Sequence, residues 1–353
     1  MRPKRLLLVS PCQGAYGGIE AFVLAVAAAV RREPDFEVRV LFKKTTDFVE
    51  NATLKKMLAG TSAVEFCKRG ADRDLRAAIR WADIVHLQNA SPDVVLWTKL
   101  FGKRLVLTIH NYMRRDRSAH RLLWQWSARF ADARWYNSEF VWKTWEGDQK
   151  WPGSRKVATT STLPEGWTPP EERRGFAFIG RWIANKGIET LVEAYALADL
   201  DRAKSPLVLM GDGPLRGEVE HTIRERKLEN VRILGFVDEA TKANEMKNAR
   251  WVVVPPNTRE DFGLTAIEAR HLGVPCIITR DGGLPEAGGS QALICQPANP
   301  VALAKLLEQA ADMNEPEYAG RAERTRAELA TELEPMEFYA RAYRQILEGK
   351  PVD

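Results

Sequence analysis

Two cations in the second half of the chain are spaced as they would be around a phosphorylated ligand. Arg181 and Lys186 lie five residues apart in the segment G-R-W-I-A-N-K-G, which follows an apolar run and opens a helical pattern. Two cations at the end of a parallel strand can neutralise a diphosphate. The alternative is a pair of solvated surface cations.

Two carboxylates, Glu260 and Glu268, lie eight positions apart further along the chain. On one continuous helix eight steps would leave their side chains about 80° apart, so they would not share a face. The spacing therefore predicts Glu260 in a loop and Glu268 in the following helix, each meeting a different hydroxyl-bearing group. Between them, the N–H groups of Phe262, Gly263 and Leu264 form a helix start able to bind phosphate. The alternative is a helix-start charge and a surface residue.

Further glycine turns also follow apolar runs. Gly211 belongs to G-D-G-P and Gly235 to G-F-V, while Gly17 and Gly18 follow the first apolar run of the chain. Glycine lets a ligand approach the backbone, and a helix starting near residue 19 offers N–H groups to an anion. The first loop lacks G-x-G-x-x-G spacing and no acidic residue ends the second strand, which disfavours a dehydrogenase. Taken alone, this loop fits an ordinary strand-to-helix turn about as well.

The elements that must position these residues alternate along almost the whole chain. The pattern predicts strands at 5–9, 37–42, 84–87, 105–109, 176–179, 207–210, 231–234, 251–254 and 276–279. It predicts helices at 19–32, 75–82, 187–196, 215–226, 239–247, 264–271 and 300–312. Such alternation implies parallel sheets with helices on both faces.

The alternation breaks at residues 151–174, which are rich in Pro, Gly, Thr and charge. We interpret the later part of this segment as a linker between two α/β domains, each with a doubly wound sheet. In such sheets ligands bind beyond the carboxyl ends of the strands, so two domains suggest a cleft between them.

Composition limits the class of protein. The 353 residues, 45% apolar and 28% charged, suffice for two domains with ordinary cores and exclude disorder as the main state. A net charge of +5 suits an anionic ligand or surface but is too small to indicate a nucleic-acid binder. Four widely separated cysteines favour a reducing compartment. No run is long enough for a membrane span or a signal peptide, so we expect a cytoplasmic protein.

The motifs, taken in order, resemble the donor half of the family 4 retaining glycosyltransferases. These motifs are G-R-x4-K-G from residue 180, G-x-G-P from 211, G-F-V from 235 and the carboxylate pair; G-G-I-E from 17 and segment 269–286 match as well. The resemblance implies the GT-B fold, an α/β architecture in which two Rossmann-like doubly wound domains face a central cleft. The acceptor-side domain would be 1–168 with a C-terminal crossover helix in 336–353, and the donor-binding domain 174–335.

The resemblance also implies roles for the matching residues. Arg181 and Lys186 would neutralise the diphosphate and the charge of the leaving group. Glu268 would hold the ribose, and Glu260 would grip the donor sugar. The implied nucleotide-sugar contacts are Gly17, Gly18, Gly180, Arg181, Lys186, Gly211, Gly235, Phe236, Val237, Glu260, Phe262, Gly263, Leu264 and Glu268.

One histidine in the first half completes the implied site. His110 follows the predicted strand 105–109 and resembles the family's histidine at the reacting edge of the sugar. It would orient the donor sugar rather than act as a nucleophile. The implied mechanism is retaining: the acceptor hydroxyl attacks on the face from which the diphosphate leaves, and its proton passes to a leaving-group oxygen. Such a step needs charge stabilisation more than a strong base, and we expect no metal ion or other cofactor.

Segment 113–130 follows His110 and should face the acceptor. Residues 112–134 contain six arginines and two aspartates, with Arg114, Arg115, Arg117 and Arg121 at the start. Leu122, Leu123, Trp126 and Phe130 fall on one helical stripe. One interpretation is a helix packed on the core, which would account for Leu122 and Leu123. Others are a rim that meets anionic lipid or a lipid-linked acceptor, or tryptophans that stack on sugars.

The expected function is transfer of a hexose-type sugar from a nucleotide sugar to a glycan or lipid-linked glycan, in cell-surface polysaccharide synthesis. The protein would be cytoplasmic, with a peripheral position on the inner face of the membrane as one option, and would not bind nucleic acid. Two alternatives stay open: a sugar-nucleotide epimerase of the same architecture, and a non-catalytic glycosyltransferase-like scaffold. The base, the sugar, the acceptor and the oligomeric state are not determined by these residues.

Overall fold

The computed structural model describes residues 2–14, 17–45, 52–61, 64–68, 72–113, 118–158, 163–258 and 260–352. The chain divides into two compact units. The first comprises residues 1–162 together with 333–353, and the second comprises residues 163–332.

The first unit is a parallel sheet with helices on both faces. Its strands, in the part of the chain that the structure describes, are β1 (Lys4–Cys12), β2 (Phe36–Lys44), β3 (Val64–Cys67), β4 (Ile84–Gln88), β5 (Arg104–Ile109), β6 (Ala133–Tyr136) and β7 (Ser154–Lys156). Its helices are α1 (Gly18–Arg31), α2 (Ala52–Ala59), α3 (Asp72–Trp81), α4 (Pro92–Leu100), α5 (Ala119–Ala128), α6 (Glu139–Glu146) and, from the end of the chain, α14 (Glu337–Leu347). The strand order β3-β2-β1-β4-β5-β6-β7 is doubly wound, with its switch point between β1 and β4.

The central strand β1 shows why this sequence forms a buried parallel sheet. Its four consecutive apolar residues, Leu6 to Val9, are completely buried. Leu6 and Leu8 enter a core shared with α1 and α14, whereas Leu7 and Val9 enter the core on the opposite face, with α3, α4 and α6. A continuous apolar run is what a strand covered on both faces requires.

The second unit repeats this arrangement. Its described strands are β8 (Arg174–Ile179), β9 (Leu207–Met210), β10 (Val231–Gly235), β11 (Ala249–Val254), β12 (Cys276–Thr279) and β13 (Leu293–Cys295), all parallel, in the order β10-β9-β8-β11-β12-β13. Its helices are α7 (Ile188–Leu197), α8 (Arg216–Glu225), α9 (Glu239–Asn248), α10 (Leu264–His271), α11 (Leu284–Gly288), α12 (Pro300–Asp312) and α13 (Glu315–Glu332). The switch point lies between β8 and β11.

The predicted elements are present at nearly the expected bounds. The sequence pattern missed the short strands β3, β6, β7 and β13 and the helices α2, α4, α6, α11 and α13. Strands β3 and β6 have four residues each, and β7 has three. Each of β3 and β6 includes a charged residue, so no continuous apolar run marks either strand, and the three residues of β7 do not distinguish a strand from a loop. The long helix α13 was missed because it is mostly polar.

The segment interpreted as a linker is packed rather than extended in solvent. The boundary between the units lies inside it, but residues 163–174 belong to the second unit. Arg173 is fully buried and donates to the carbonyl oxygens of Thr168 and Leu272 at 2.9 and 3.1 Å. Its guanidinium also lies 4.6 Å from the ring centroid of Trp167. The segment resembles a linker in sequence because a buried arginine, bonded to main-chain carbonyls, holds it in place, and such an anchor gives no apolar period.

The residues Leu122, Leu123, Trp126 and Phe130, here called the apolar stripe, face solvent. The prediction that Leu122 and Leu123 pack on the core is wrong, since 61% and 48% of their surfaces are exposed. Helix α5 instead turns Ser127 and Ala128 inwards. Periodicity identified the stripe, but it could not show which side of the helix meets the sheet. Residues 114–117 lie outside the described residues.

The cysteine thiols and the lengths of the helices can be compared with two expectations, a reducing compartment and no membrane span. The four cysteines form no disulfide, and all but Cys295 are buried. Among the helices that the structure describes, none has the length and apolar character needed to cross a bilayer.

Candidate functional site

The strand order brings the predicted site residues of the second unit to one edge of its sheet. β8 and β11 are neighbours although they are far apart in sequence, and the loops after both leave the carboxyl edge at the switch point. The loop after β8 carries Arg181 and Lys186, and the loop after β11 carries Glu260. Doubly wound sheets bind ligands at a switch point, because the helices that follow the two neighbouring strands lie on opposite faces of the sheet and leave a crevice at its carboxyl edge.

The two loops are joined by their backbones. Asn257 donates its backbone N–H to the carbonyl oxygen of Asn185 at 3.0 Å and its side-chain amide to that of Ala184 at 3.1 Å. Gly187 has a φ of 71°, and a Cβ there would lie 1.8 Å from the carbonyl oxygen of Pro255. Only glycine fits this contact. The turn that carries Lys186 is therefore held in a fixed position on the β11 loop.

Lys186 and Glu260 form an ion pair across these loops. The Nζ atom of Lys186 donates to Oε2 of Glu260 at 2.6 Å, and both side chains are largely shielded from solvent. The main chain of Glu260 is fixed in turn: its N–H donates to Asp281 at 2.6 Å, and its carbonyl oxygen accepts from the N–H of Gly283 at 2.9 Å. The carboxylate of Glu260 is thus held by the loop after β8, and its main chain by the loop after β12.

Arg181 differs from Lys186 in its environment. It is exposed, and it forms no side-chain hydrogen bond or ion pair with any residue that the structure describes. The loop after β8 therefore offers one cation already paired with a carboxylate and one that is open. An exposed guanidinium retains all its N–H donors for a phosphate.

The start of α10 offers main-chain donors beside Glu260. Gly263 caps the helix with a φ of 99°, a conformation that glycine adopts readily. The N–H groups of Phe262, Gly263 and Leu264 donate to none of the described residues. Uncompensated N–H groups at a helix start attract an anion. The predicted loop position of Glu260 and helix position of Glu268 are both observed.

Glu268 is largely shielded from solvent, beside a lysine that the sequence did not indicate. Lys242, on α9, donates to Glu268 at 3.1 Å and also pairs with Glu239 at 2.6 Å. Burial raises the pKa of Glu268, and the neighbouring Lys242 partly opposes this shift. Burial alone would lower the pKa of Lys242, but the two carboxylates raise it. Lys242 therefore favours the charged form of Glu268, and the charged carboxylate is the form that accepts two hydroxyl hydrogen bonds.

The glycine turns after β8, β9 and β10 stack against each other at the same edge. Gly211 donates its N–H to the carbonyl oxygen of Gly235 at 2.7 Å, and Gly180 donates to that of Met210 at 3.2 Å. Gly211 has a φ of 116°, and a Cβ there would lie 1.8 Å from the carbonyl oxygen of Gly180. Beyond Gly235, Phe236 is 82% exposed and Val237 is half-buried. An exposed aromatic ring at this edge is available to a flat ligand.

In the first unit, Gly17 and Gly18 lie at the start of α1, as predicted. A carboxylate of the same chain already lies there: Oε2 of Glu20 accepts the N–H of Gly17 at 3.1 Å. Burial raises the pKa of Glu20. The amide of Gly17 is therefore engaged, and an anion at this helix start would meet Glu20. This neighbour was not foreseen from the sequence.

His110 lies directly after β5, at the carboxyl edge of the first sheet. Its Nε2 atom is 2.9 Å from Oε1 of Gln88, and its ring contacts that of Phe22 edge-on at 5.2 Å between centroids. Burial lowers the pKa of His110 to about 4. The imidazole is therefore neutral near pH 7, which suits hydrogen bonding to a sugar better than charge stabilisation.

The chain contains two acidic triplets of the D-x-D type, a pattern that can bind a metal ion, at residues 72–74 and 199–201. Asp199 and Asp201 lie between α7 and β9, at the amino edge of the second sheet, which is the edge opposite the residues described above. Within the described part of the chain, no group of three or more His, Cys, Asp or Glu side chains is arranged to hold a metal ion.

Two family models match the chain, one in each unit. The model of glycosyl transferases group 1 matches residues 160–327, and the model of glycosyltransferase family 4 matches residues 16–153. The chain belongs to the family 4 glycosyltransferases of group 1. The glycosyltransferase also resembles Anabaena HepE, solved in complex with UDP and glucose, with a TM-score of 0.75 at 16% identity over 97% of this chain and 99% of that one. With its two doubly wound sheets, it has the GT-B fold.

Curated relatives match parts of the glycosyltransferase. An uncharacterized glycosyltransferase of Methanocaldococcus jannaschii, MJ1607, is 35% identical over 117 residues, which are 33% of this chain and 30% of the relative. The O-antigen chain mannosyltransferase C of Escherichia coli is 33% identical over 103 residues, 29% of this chain and 26% of the relative. The glycosyltransferase thus aligns with about a third or less of the length of these relatives.

The sequence missed the polar residues that surround the predicted ones. Gln88 and Asn137 hold His110 in the first unit; Lys242 pairs with Glu268 and Asp281 fixes Glu260 in the second. Three of the four, Lys242 being the exception, stand at or just after the end of a strand. A polar residue ending an apolar strand was therefore the signal that would have found them.

Proposed function

We propose that this glycosyltransferase moves a hexose-type sugar from a nucleoside diphosphate sugar to a glycan or lipid-linked glycan acceptor, with retention of configuration. The observation that carries the proposal is the cluster at the switch point of the second sheet. There the open cation Arg181, the paired Lys186 and Glu260, and the N–H groups at the start of α10 share one edge. This is a site for an anion joined to a hydroxyl-bearing group.

Each part of the donor has a matching group in the proposal. Arg181 and the N–H groups of Phe262 to Leu264 bind the phosphates, and Lys186 neutralises the charge that develops on the leaving diphosphate. Glu268, paired with Lys242, accepts the ribose hydroxyls. The turn from Gly235 to Val237 lines the base. The protein's own cations take the part of a divalent ion, so no metal is proposed.

The sugar is bound by hydrogen bonds rather than attacked by the protein. Glu260 accepts from its hydroxyls and His110 orients its reacting edge. The acceptor hydroxyl then attacks on the face that the diphosphate leaves, and its proton passes to a leaving-group oxygen. Positioning and charge stabilisation supply the rate in such a step.

The proposed acceptor and setting rest on relatives. One relative is named as an O-antigen chain mannosyltransferase, which supports a role in cell-surface polysaccharide synthesis. The Anabaena structure, solved with UDP and glucose, supports a UDP-hexose among the donors to be tried.

We also propose that the apolar stripe meets the anionic inner face of the membrane, where lipid-linked acceptors lie. Leu122 and Trp126 are 61% and 59% exposed on one side of α5, and the rings of Trp126 and Phe130 pack edge-on with 4.5 Å between centroids. Residues 112–134 carry six arginines against two aspartates. Exposed aromatic and leucine side chains within a basic segment are typical of helices that lie on anionic lipid.

A thermal-shift panel with UDP, GDP, ADP and NAD tests the donor site. A ligand at 100 times its Kd adds about 2.7 kcal/mol to the free energy of unfolding, which raises Tm by several degrees. One diphosphate should stabilise the wild type and lose most of its effect in Glu268→Ala. Glu239→Ala is the matched control, because it removes the other carboxylate on Lys242 and leaves Glu268 in place.

Transfer is then tested with the sugar form of the stabilising nucleotide and a glycan acceptor, and the anomeric configuration of the product is read by NMR. Retained configuration in an acceptor-dependent product supports the proposal. Isomerised donor without acceptor would identify an epimerase. If no nucleoside diphosphate shifts Tm, the donor site is refuted and the non-catalytic scaffold takes its place.

A further inference from the structure

Four polar residues converge on the carboxyl edge of the first sheet. Gln88 ends β4, Asn89 follows it, His110 follows β5, and Asn137 follows β6. Because β5 lies between β4 and β6 and all three strands are parallel, these residues meet at one edge. None of the three amide residues was singled out from the sequence.

The amides hold His110 at three points. Its backbone N–H donates to Oδ1 of Asn89 at 3.0 Å, its carbonyl oxygen accepts from Nδ2 of Asn137 at 3.1 Å, and its Nε2 lies 2.9 Å from Oε1 of Gln88. The φ of Asn89 is 56°, a left-handed conformation that asparagine tolerates better than most residues. The ring and the main chain of His110 are therefore fixed together.

The contact with Gln88 decides which ring nitrogen carries the proton. An amide oxygen only accepts hydrogen bonds, so Nε2 of His110 must donate. A neutral imidazole has one N–H, which leaves Nδ1 with a lone pair. Nδ1 forms no hydrogen bond with any described residue. His110 is thus an acceptor at the one nitrogen left for a ligand.

Two buried atoms beside His110 also have no partner in the described structure. They are Nε2 of Gln88 and Oδ1 of Asn137, the first a donor and the second an acceptor. Gln88 itself is only 1% exposed. Buried polar atoms are nearly always hydrogen-bonded, so unpartnered ones around a histidine indicate a polar ligand or a bound water. A hydroxyl group, which both donates and accepts, would satisfy such a set.

We propose that Gln88 is a positioning residue that fixes the His110 tautomer with the proton on Nε2, so that Nδ1 accepts a hydrogen bond from a hydroxyl of the sugar. The second half of this statement rests on the proposed function; the first half concerns the protein alone. The role of His110 is then that of an acceptor, and a donor or acid role at Nδ1 is excluded.

The tautomer is measured without any substrate. Two-bond ¹H–¹⁵N correlation spectra of histidine-labelled protein at pH 7 distinguish a protonated from an unprotonated ring nitrogen, and His110→Gln assigns the signal by its disappearance. We expect His110 to be neutral, with the proton on Nε2. A proton on Nδ1, or a mixture of the two tautomers, would overturn the proposal.

Two variants test whether Gln88 is the cause. Gln88→Met removes the amide and should give a mixed tautomer, whereas Gln88→Glu keeps an acceptor and should preserve the Nε2–H form. Thr108→Val is the matched control, because Thr108 lies two residues before His110 but its hydroxyl forms a buried hydrogen bond with Nε2 of His86. Its removal should leave the His110 tautomer unchanged. An unchanged tautomer in folded Gln88→Met would refute the role of Gln88. If Gln88→Met does not fold, the wild-type and Gln88→Glu spectra decide.

Kinetics separate this inference from the proposed function. With the nucleotide sugar found in the panel, Gln88→Met should lower kcat about tenfold, the size expected for one lost hydrogen bond. The nucleoside diphosphate, bound by the second unit, should raise Tm as in the wild type. If no nucleoside diphosphate raises the Tm of the wild type or of any variant, the proposed function is refuted, and the spectra still decide the tautomer. A normal tautomer effect with unchanged kcat would refute the contact with the sugar.

Discussion

Lys186 and Glu260, separated by 74 positions in the sequence, form a 2.6 Å ion pair at the switch point of the second sheet. The pair joins the loop after β8 to the loop after β11, and Asp281 fixes the Glu260 backbone from the loop after β12. The lysine is therefore not a simple surface cation. Its ammonium is held by a carboxylate, which occupies one of its three N–H donors.

Removing Lys186 should impair chemistry more than folding. We expect Lys186→Ala to lower kcat/KM about 10²- to 10³-fold, as loss of one preorganised charge-stabilising donor does. The measurement is the initial rate of sugar transfer over a range of donor concentrations. Lys204→Ala is the control, since its exposed ammonium pairs only with the neighbouring Asp201 among described residues. A loss below about threefold in Lys186→Ala would contradict the assigned role.

Removing Lys242 should make nucleotide binding sensitive to acid. Burial already raises the pKa of Glu268, and Lys242 opposes that shift. In Lys242→Met the pKa of Glu268 rises further, so the carboxylate protonates at a higher pH and loses acceptor capacity there. Calorimetry at pH 8 and pH 6 should show a larger loss of nucleotide affinity in the variant than in the wild type. Lys247→Met, on the same helix, should behave as the wild type does. Equal pH dependence of nucleotide affinity in all three proteins would contradict the role of Lys242 in favouring charged Glu268.

His86 should make the first unit sensitive to acid. It is fully buried, with Nδ1 2.6 Å from the hydroxyl of Tyr343 and Nε2 2.7 Å from that of Thr108. Burial, with a smaller effect of His110, lowers the pKa of His86 to about 3. Below about pH 6.5 the unfolded chain binds a proton at His86 and the folded chain does not. The stability that neutral His86 contributes is therefore fully present above pH 6.5, and it is lost progressively as the pH falls toward 3.

The size of that effect follows from linkage. Each proton that only the unfolded chain binds lowers the free energy of unfolding by about 1.4 kcal/mol per pH unit. Between pH 6.5 and 5, His86 should therefore lower the free energy of unfolding by about 2 kcal/mol. Urea unfolding at these two pH values should show that His86→Gln loses about 2 kcal/mol less than the wild type. The amide keeps hydrogen-bonding groups for Tyr343 and Thr108 but does not titrate. Identical losses in both proteins would contradict the buried, neutral state of His86.

Gly211 should tolerate no side chain. With a φ of 116° and a Cβ position 1.8 Å from the carbonyl oxygen of Gly180, Gly211→Ala must displace the turns after β8 and β9. We expect it to lower the free energy of unfolding by about 2 kcal/mol or more. Gly217→Ala is the control: its Cβ meets nothing within 4 Å, and it lies in α8. That change should raise stability by about 0.5 kcal/mol.

The apolar stripe should bind lipid without supporting the fold. In the double variant Leu122→Gln/Trp126→Gln, each substitution should change the free energy of unfolding by no more than about 0.5 kcal/mol, because both sites are exposed. It should also bind phosphatidylglycerol vesicles at least about tenfold more weakly in co-sedimentation, because two apolar side chains no longer enter the bilayer surface. Leu197→Gln, an exposed leucine of the second unit, is the control. Equal binding by variant and wild type, or equal binding to neutral vesicles, would remove the membrane from the proposal.

Much of the fold and part of the site could be predicted from local patterns. Strand β9 lies where a contiguous apolar run placed it, and helix α10 lies where the sequence pattern predicted a helix, because both signals depend on neighbours in sequence. The spacing of Glu260 and Glu268 also sufficed to assign one to a loop and the other to a helix. Motifs around Arg181, Gly211 and Gly235 indicated the family, since each is a short contiguous signature.

The sequence by itself thus determined the elements, the glycine turns and the residue types at the ends of the strands. Only the tertiary structure decided which of these residues meet. Lys186 contacts Glu260 and Gln88 contacts His110 because crossover connections place β8 beside β11 and β4 beside β5. Lys242 contacts Glu268 because helices α9 and α10 bring the two side chains together. Likewise, a helical period defines the apolar stripe, but the rotation of α5 on the sheet is set by contacts with other elements. Pairing and orientation are properties of the assembled sheet, and no local pattern encodes them.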